Sequence, residues 1–159
     1  PSSHPDTSST VLYTDPVVLV AAPENAAGAD WVELIGHHLL LTGNHPIYWD
    51  ALLLAVSRRQ PHLRTLAVDR VDITKRLLEE GLGVSFLPRS SVVRELAEGR
   101  LVTVPVDMEL PTAATYLILP QHREVPEAAR LFVDLLKRSF PDGVVPGMEA
   151  GQSTSAGNE

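Results

Sequence analysis

"RVDITKRLLEEGLGVSFLPRS", residues 70–90, changes character twice. Its first half is mostly charged, with Leu77 and Leu78 as the inward pair, the pattern of a surface helix. Asp69 or Asp72 can cap the start of that helix, and Gly81 supplies the left-handed position at its end. After Gly83 the run Val84-Ser85-Phe86-Leu87 is strand-like, and Pro88 stops it. A helix feeding a buried strand is half of an α/β unit. The glycine pair does not read as a phosphate cradle. "EGLGVS" lacks the G-x-G-x-x-G spacing and lies between helix and strand, the reverse of the nucleotide-binding order. It reads as a helix stop followed by a close-packing site, so chemistry is to be sought at the other end of the helix.

The same alternation extends both ways. Downstream, Ser90 or Ser91 can cap a helix in "VVRELAEG", ended by Gly99. The strands "RLVTVPV" and "ATYLILP" follow. In "PEAARLFVDLLKRSF", Ala128, Leu131, Phe132, Leu135 and Leu136 keep i, i+3, i+4, i+7, i+8 spacing and predict a helix. Upstream, "LRTLAV" at 63–68 reads as a strand. "PIYWDALLLAVSRRQ" reads as a mostly buried helix with Pro46 at its first position and apolar residues at 48, 49, 52, 53 and 56. A helical turn at Trp31–Ile35 precedes a strand at His38–Leu41, and Val17–Ala22 is a buried strand between Pro16 and Pro23. Residues 1–10 read as a disordered lead-in and 141–159 as a disordered tail. Alternating strands and helices predict an α/β fold with a mainly parallel sheet.

Several function classes fall away. The chain of 159 residues suits one domain, and its 13 basic against 20 acidic side chains leave a net charge of −7. That balance disfavours direct grip on a nucleic-acid backbone. There are no cysteines, hence no disulfides, thiolate metal sites or cysteine nucleophile. None of the six histidines completes an H-E-x-x-H pattern, and His37 and His38, adjacent on the expected strand, point to opposite faces. Ser85 is not in a nucleophile elbow. The expectation is a non-enzyme with no metal and no cofactor. Neither a membrane span nor a signal peptide is visible, which suits the cytoplasm.

In α/β sheets, ligands bind at the carboxyl ends of strands, where helix N-termini present unpaired N–H groups to an anion. Two junctions qualify: "TGNHP" at 42–46 and "DRVDIT" at 69–74. Thr42, Asn44, His45 and Thr74 are the candidate polar contacts, and Ile47 and Val71 the apolar wall. Gly43 lets the backbone come close to a ligand. Asp72 opposes an anion unless it points away as a cap. The bland reading stays open, in which Asn44, Asp69, Asp72 and Thr74 are helix caps and Gly43 a turn residue.

The order of these motifs resembles the effector-binding domain of LysR-type transcriptional regulators. That family has a helix, a G-x-G-x-x-x-L-P turn and strand, and a helix ending in E-L-x-x-G-x-L. Here Gly81, Gly83, Leu87, Pro88, Glu95, Leu96, Gly99 and Leu101 match it. "DPVVLVAAPEN" is similar to the strand that crosses between the family's two lobes, and "TYLILPQH" with "PEAARLFVDLLK" to the return strand and closing helix. The match covers residues 11–140. "NHPIYWD" with "VDITKR" is similar to a branch that includes citrate-responsive catabolite regulators.

The resemblance implies a type 2 periplasmic-binding-protein-like fold, with the second lobe complete and only part of the first. It implies a small-molecule effector, a carboxylate metabolite with citrate among the candidates, held in an interlobe cleft. In the family, the junctions matching His45 to Ile47 and Val71 to Thr74 line this cleft; joined to the junction residues read above, the effector-binding set is Thr42, Gly43, Asn44, His45, Ile47, Val71, Asp72 and Thr74. DNA would be bound only through an N-terminal helix-turn-helix absent from this chain, and a homo-oligomer is expected. The alternative is a stand-alone solute-binding or interaction module of the same fold.

Overall fold

The computed structural model describes residues 6–43, 46–140 and 143. In chain order the elements are β1 (Thr7–Ala21), α1 (Pro23–Ala26), α2 (Trp31–His37), β2 (Leu40–Thr42), α3 (Pro46–Arg59), β3 (Thr65–Ala67) and α4 (Val71–Glu79). Then come β4 (Val84–Pro88), a 3-10 turn (Arg89–Val92), α5 (Val93–Ala97), β5 (Val102–Val104), β6 (Thr112–Pro120) and α6 (Glu127–Ser139). The chain divides into two units: Asp15–Ala113, and the segments up to Thr14 and from Ala114 onward.

The Asp15–Ala113 unit carries the sheet, in the order β3-β2-β4-β1-β5. β2 runs parallel to β3 and β4, while β1 runs antiparallel to β4 and β5. Strand alternation sends neighbouring side chains to opposite faces. On one face, Leu19 of β1, Leu40 of β2 and Phe86 of β4 pack with Trp31, Leu34 and Ile35 of α2 and Trp49, Leu52 and Val56 of α3. On the other, Val20, Leu41 and Leu87 pack with Leu78 of α4, Val92 and Leu101. Where both faces are covered, as at β2 and β4, the strands carry few polar residues, which is why they read as nearly continuous apolar runs. Ser85 is polar yet fully buried, and it donates its hydroxyl to the Leu41 carbonyl at 2.7 Å.

The opening stretch folds as its glycines dictate. Gly81 has φ +69° and its N–H donates to Leu78 O, while Leu82 N–H reaches Leu77 O at 2.9 Å. This paired capping is repeated at Gly99 (φ +69°), where Gly99 N–H donates to Leu96 O and Arg100 N–H to Glu95 O. Gly83 answers to closeness instead. A Cβ there would lie 2.7 Å from the Leu39 carbonyl oxygen, the same oxygen that accepts Val84 N–H at 2.9 Å.

Several sequence expectations are corrected. His37 ends α2 and His38 is its C-cap, its N–H donating to Leu34 O, so the two histidines do not share a strand. α3 is less buried than its composition implies, because apolar residues circle it and only part of its circumference meets the sheet; Leu54 is 58% exposed. The N-cap position of α4 falls on Arg70, which makes no side-chain cap bond, and not on Asp69 or Asp72. The serines before α5 are engaged elsewhere, Ser90 on Asp15 and Ser91 on the Pro88 carbonyl.

In the other unit, residues 7–10, expected in a disordered lead-in, open β1, which pairs with β6. Thr and Ser suit a pleated strand when a partner takes their backbone groups. The Ser8 hydroxyl donates to Leu119 O, and Gln121 N–H to Asp6 O at 2.9 Å. Tyr13 stacks on Phe140 with centroids 4.6 Å apart. Of the expected tail, Gly143 is described, and its carbonyl accepts Thr14 N–H at 2.7 Å; the other residues of 141–159 lie outside the described residues. α6 forms as its periodicity predicts, but no side chain of it is buried among the described residues.

Candidate functional site

The two junctions chosen from the sequence lie side by side. β2 and β3 pair in parallel, with Leu40 opposite Thr65, Leu41 opposite Leu66 and Thr42 opposite Ala67. Both strands therefore end at the same level, and Val68 N–H closes the pair on Thr42 O at 2.8 Å. α3 starts at Pro46 and α4 at Val71, one just after each strand. At nine residues, α4 has a full first turn of N–H groups with no bond inside the helix.

The residues named from the sequence take distinct places. Thr42 is buried at the end of β2, and Gly43 follows it, half-buried. Asn44 and His45 lie outside the described residues, and Ile47 is described only by its helical backbone. Val71 is 47% exposed, and Ile73, projecting from another side of the helix, is also exposed, leaving apolar groups at the start of α4. Thr74 is buried, and its hydroxyl donates back to the Arg70 carbonyl at 3.2 Å. Asp72 is exposed in the first turn.

Sequence reasoning passed over Arg70. Its guanidinium grips Asp72 as a fork, Nε donating to Oδ1 at 3.1 Å and Nη2 to Oδ2 at 2.8 Å. Those bonds, helped by Arg70's charge and the amides of Asp72 and Ile73, hold the Asp72 carboxyl below the usual carboxylate range, against desolvation that pushes it up. The junction thus already carries a carboxylate beside main-chain amides, supplied by its own chain. The available signal was an arginine standing between a strand and the first residue of a helix.

Two further features fix the junctions. Tyr48, in the first turn of α3, donates its hydroxyl to Phe86 O at 3.3 Å. Burial pushes this phenol up to about 12, with a bond to Trp49 opposing and the charge of Asp15 adding, so it remains a donor across the physiological range. On α4, Lys75 Nζ donates to Glu95 Oε1 at 2.8 Å and to the Ser91 carbonyl at 3.1 Å. Burial pushes the Glu95 carboxyl up, but the bond from Lys75, its own amide, and the charges of Lys75 and Arg100 together hold it below its ordinary 4.5. A depressed folded value stabilises the fold above pH 4.5 and loses that contribution as pH falls through the folded value. The melting temperatures of the native chain and Glu95→Gln should therefore differ most near neutral pH and converge in acid. A gap that persists undiminished well below pH 4.5 would show that the ionised carboxylate is not the stabilising form.

Other chemistry is thin. Among the described residues no group of three or more His, Asp or Glu could hold a metal. No described helix is long and apolar enough to cross a membrane. An open depression of about 340 Å³, lined by Asn25, Glu33, His37 and His38 among others, belongs to the α1–α2 region and shares no residue with the junctions.

Comparison with known proteins accounts for this architecture. Residues 1–141 match the family model described as LysR substrate binding domain. The chain is 49% identical over 112 residues to the HTH-type transcriptional regulator CitR of Bacillus subtilis, covering 67% of this chain and 38% of that protein. It is 32% identical over 121 residues to the HTH-type transcriptional regulator PtxR of Pseudomonas aeruginosa, covering 74% of this chain and 36% of that protein. The chain thus spans less than half the length of these relatives, which are named as regulators and not as enzymes. In fold it is similar to the effector domain of the regulator AmpR of Pseudomonas aeruginosa, with TM-score 0.69 and 23% identity over 86% of this chain and 66% of that one. It is also similar to the CcmR regulatory domain of Synechocystis PCC6803 in complex with 2-PG, with TM-score 0.65 and 16% identity over 89% of this chain and 70% of that one. The α/β fold is thus of the type 2 periplasmic-binding-protein-like kind, and the chain belongs to the LysR family as a substrate-binding, or effector-binding, domain.

Proposed function

We propose that the chain senses a small carboxylate metabolite, citrate being the first candidate, at the carboxyl ends of β2 and β3. The observation that carries this reading is the in-register ending of those two parallel strands, each followed by a helix, with the Arg70 fork at the first turn of α4. A ligand carboxylate takes the place of the Asp72 carboxylate on Arg70. The exchange costs little, because an exposed ion pair contributes little to stability. The ligand gains a bidentate, charge-assisted contact and the helix N-terminus. Val71 and Ile73 cover its hydrocarbon part, with Ile47 contributing from α3. Gly43 admits close backbone approach, and Asn44 and His45 supply further polar contacts. Thr42 and Thr74, both buried, support the junction from within. The surface is this unit's wall of the binding site that the family resemblance implies.

In the whole regulator, effector occupancy changes DNA binding by a helix-turn-helix of the kind named in the relatives, and the regulator works as a homo-oligomer in the cytoplasm. The relatives' names and the CcmR complex with 2-PG support a ligand-responsive regulator.

Thermal unfolding in rising citrate, with succinate and a neutral polyol as comparisons, tests the reading. The expected result is a melting temperature that climbs with citrate concentration by mass action and does not move with the polyol. No shift at millimolar citrate or succinate overturns the acid-sensing reading.

A further inference from the structure

The first turns of α4 are tied to a point far along the chain. Lys75, next to Thr74, bonds both the Ser91 carbonyl and Glu95 Oε1. Ser90, one residue before Ser91, gives both its N–H and its hydroxyl to the carboxylate of Asp15. Asp15 and Glu95 are 4% and 6% exposed, so both carboxylates depend on these partners. Glu95 Oε2 has no partner among the described residues, so the Lys75 bond is the main satisfaction of a buried charge. Asp15 stands on β1 at the residue where one unit ends and the other begins. Its flanks are pinned as well, Thr14 N–H on Gly143 O and Val17 N–H on Pro111 O at 3.2 Å.

We infer that Lys75, Ser90 and Asp15 form a brace that links the start of α4 to β1 at the division between the two units, with Lys75 as a positioning residue for the effector junction. The inference deepens the sensing proposal by naming how occupancy at α4 reaches the strand common to both units. Segment 88–92 is short and doubly held: Ser91's hydroxyl is fixed on the Pro88 carbonyl at 2.7 Å, and Pro88 pairs with Val17 of β1. A shift of Lys75 therefore has little slack to absorb it before Ser90 and Asp15. Lys75 need not touch the ligand for this role, and no contact with it is proposed. A contiguous set of bonds becomes a coupling only when a change at one end is felt at the other.

Residue-resolved hydrogen exchange on the 159-residue chain tests this first without ligand. Lys75→Met should speed exchange about tenfold or more at the Ser90 and Val17 amides, while Val68, which bonds Thr42 O, keeps its rate. Lys75→Arg, which keeps a cation for Glu95, should restore most of the protection. From the opposite end, Ser90→Ala should speed exchange at the Thr74 amide, which bonds Arg70 O, and this variant carries the test if Lys75→Met does not fold. The brace is overturned if Lys75→Met changes only residues of α4 and α5, or if Ser90→Ala leaves Thr74 untouched. With citrate added, the native chain should gain protection at Thr74, Ser90 and Val17, and Lys75→Met at Thr74 alone. Failure of citrate to bind removes the sensing proposal but leaves the ligand-free result to decide the brace. Binding without any coupled change at Val17 removes the brace and keeps the sensor.

Discussion

Phe86→Ala should lower the unfolding free energy by about 3–5 kcal/mol, the range for truncating a buried aromatic in a packed core. Phe86 is fully buried in the middle of β4, opposite Leu19 of β1. Its ring meets Trp49 of α3 edge-on, with centroids 6.3 Å apart and planes at 78°, so its removal opens a void between sheet and helix and deletes an aromatic pair. The Tyr48 bond goes to the backbone carbonyl of Phe86, which alanine keeps, so the loss isolates the side chain. Urea unfolding followed by the signal of Trp31 and Trp49 measures it, since both lie in the Asp15–Ala113 unit. Leu54→Ala, at an exposed position of α3, serves as the control and should cost little. A Phe86→Ala cost no larger than that of Leu54→Ala would mean the sheet is not packed on α3 as described.

Arg70→Ala should weaken citrate binding about tenfold to a hundredfold while leaving thermal stability nearly unchanged. The fork holds Asp72 in the free protein and a ligand carboxylate in the bound one. Removing it takes away the charged contact, and the exposed pair with Asp72 contributes little to the fold. Arg70→Lys keeps the charge but not the planar fork, so its affinity should fall between the two. Asp72→Asn acts in the opposite direction. It frees Arg70 and removes a competing carboxylate, so affinity should rise a few-fold. Calorimetric titration of the four proteins reads the order. Equal affinities for native, Arg70→Ala and Asp72→Asn would place the ligand elsewhere.

Much of the fold could be read in the sequence because its cues are local. Gly81 and Gly99 sit where left-handed caps are required, and both adopt them. Val84, Phe86 and Leu87 are apolar because both faces of their strand are covered, and burial on two sides leaves little choice of residue. Boundaries set by partners could not be read. Residues 7–10 look like linker until β6 pairs with them, and His37 joins α2 because its turn continues from Leu34. Ser90 has the composition of a helix cap, yet its partner is Asp15, which lies 75 positions away in the chain.

The candidate site was legible as a pair of strand-to-helix junctions, since each is marked by turn residues before a helix. Their adjacency came only through the family resemblance and not from local cues, because strand order is a tertiary fact, here the β2–β3 pairing. Arg70 was passed over for a related reason. The two aspartates suggested caps, whereas the guanidinium that neutralises Asp72 gains meaning only from its geometry. The depression beside His37 and His38 gave no signal in the sequence, since it depends on how α1 and α2 turn.

The most direct test of the central claim is a map of amide chemical shifts in a uniformly ¹⁵N-labelled chain titrated with citrate. The expected result is a set of saturating shifts centred on Gly43 and on Arg70 to Thr74, where the ends of β2 and β3 meet the start of α4. Shifts centred instead on Asn25 to His38, or an unchanged spectrum at millimolar citrate, would contradict the account.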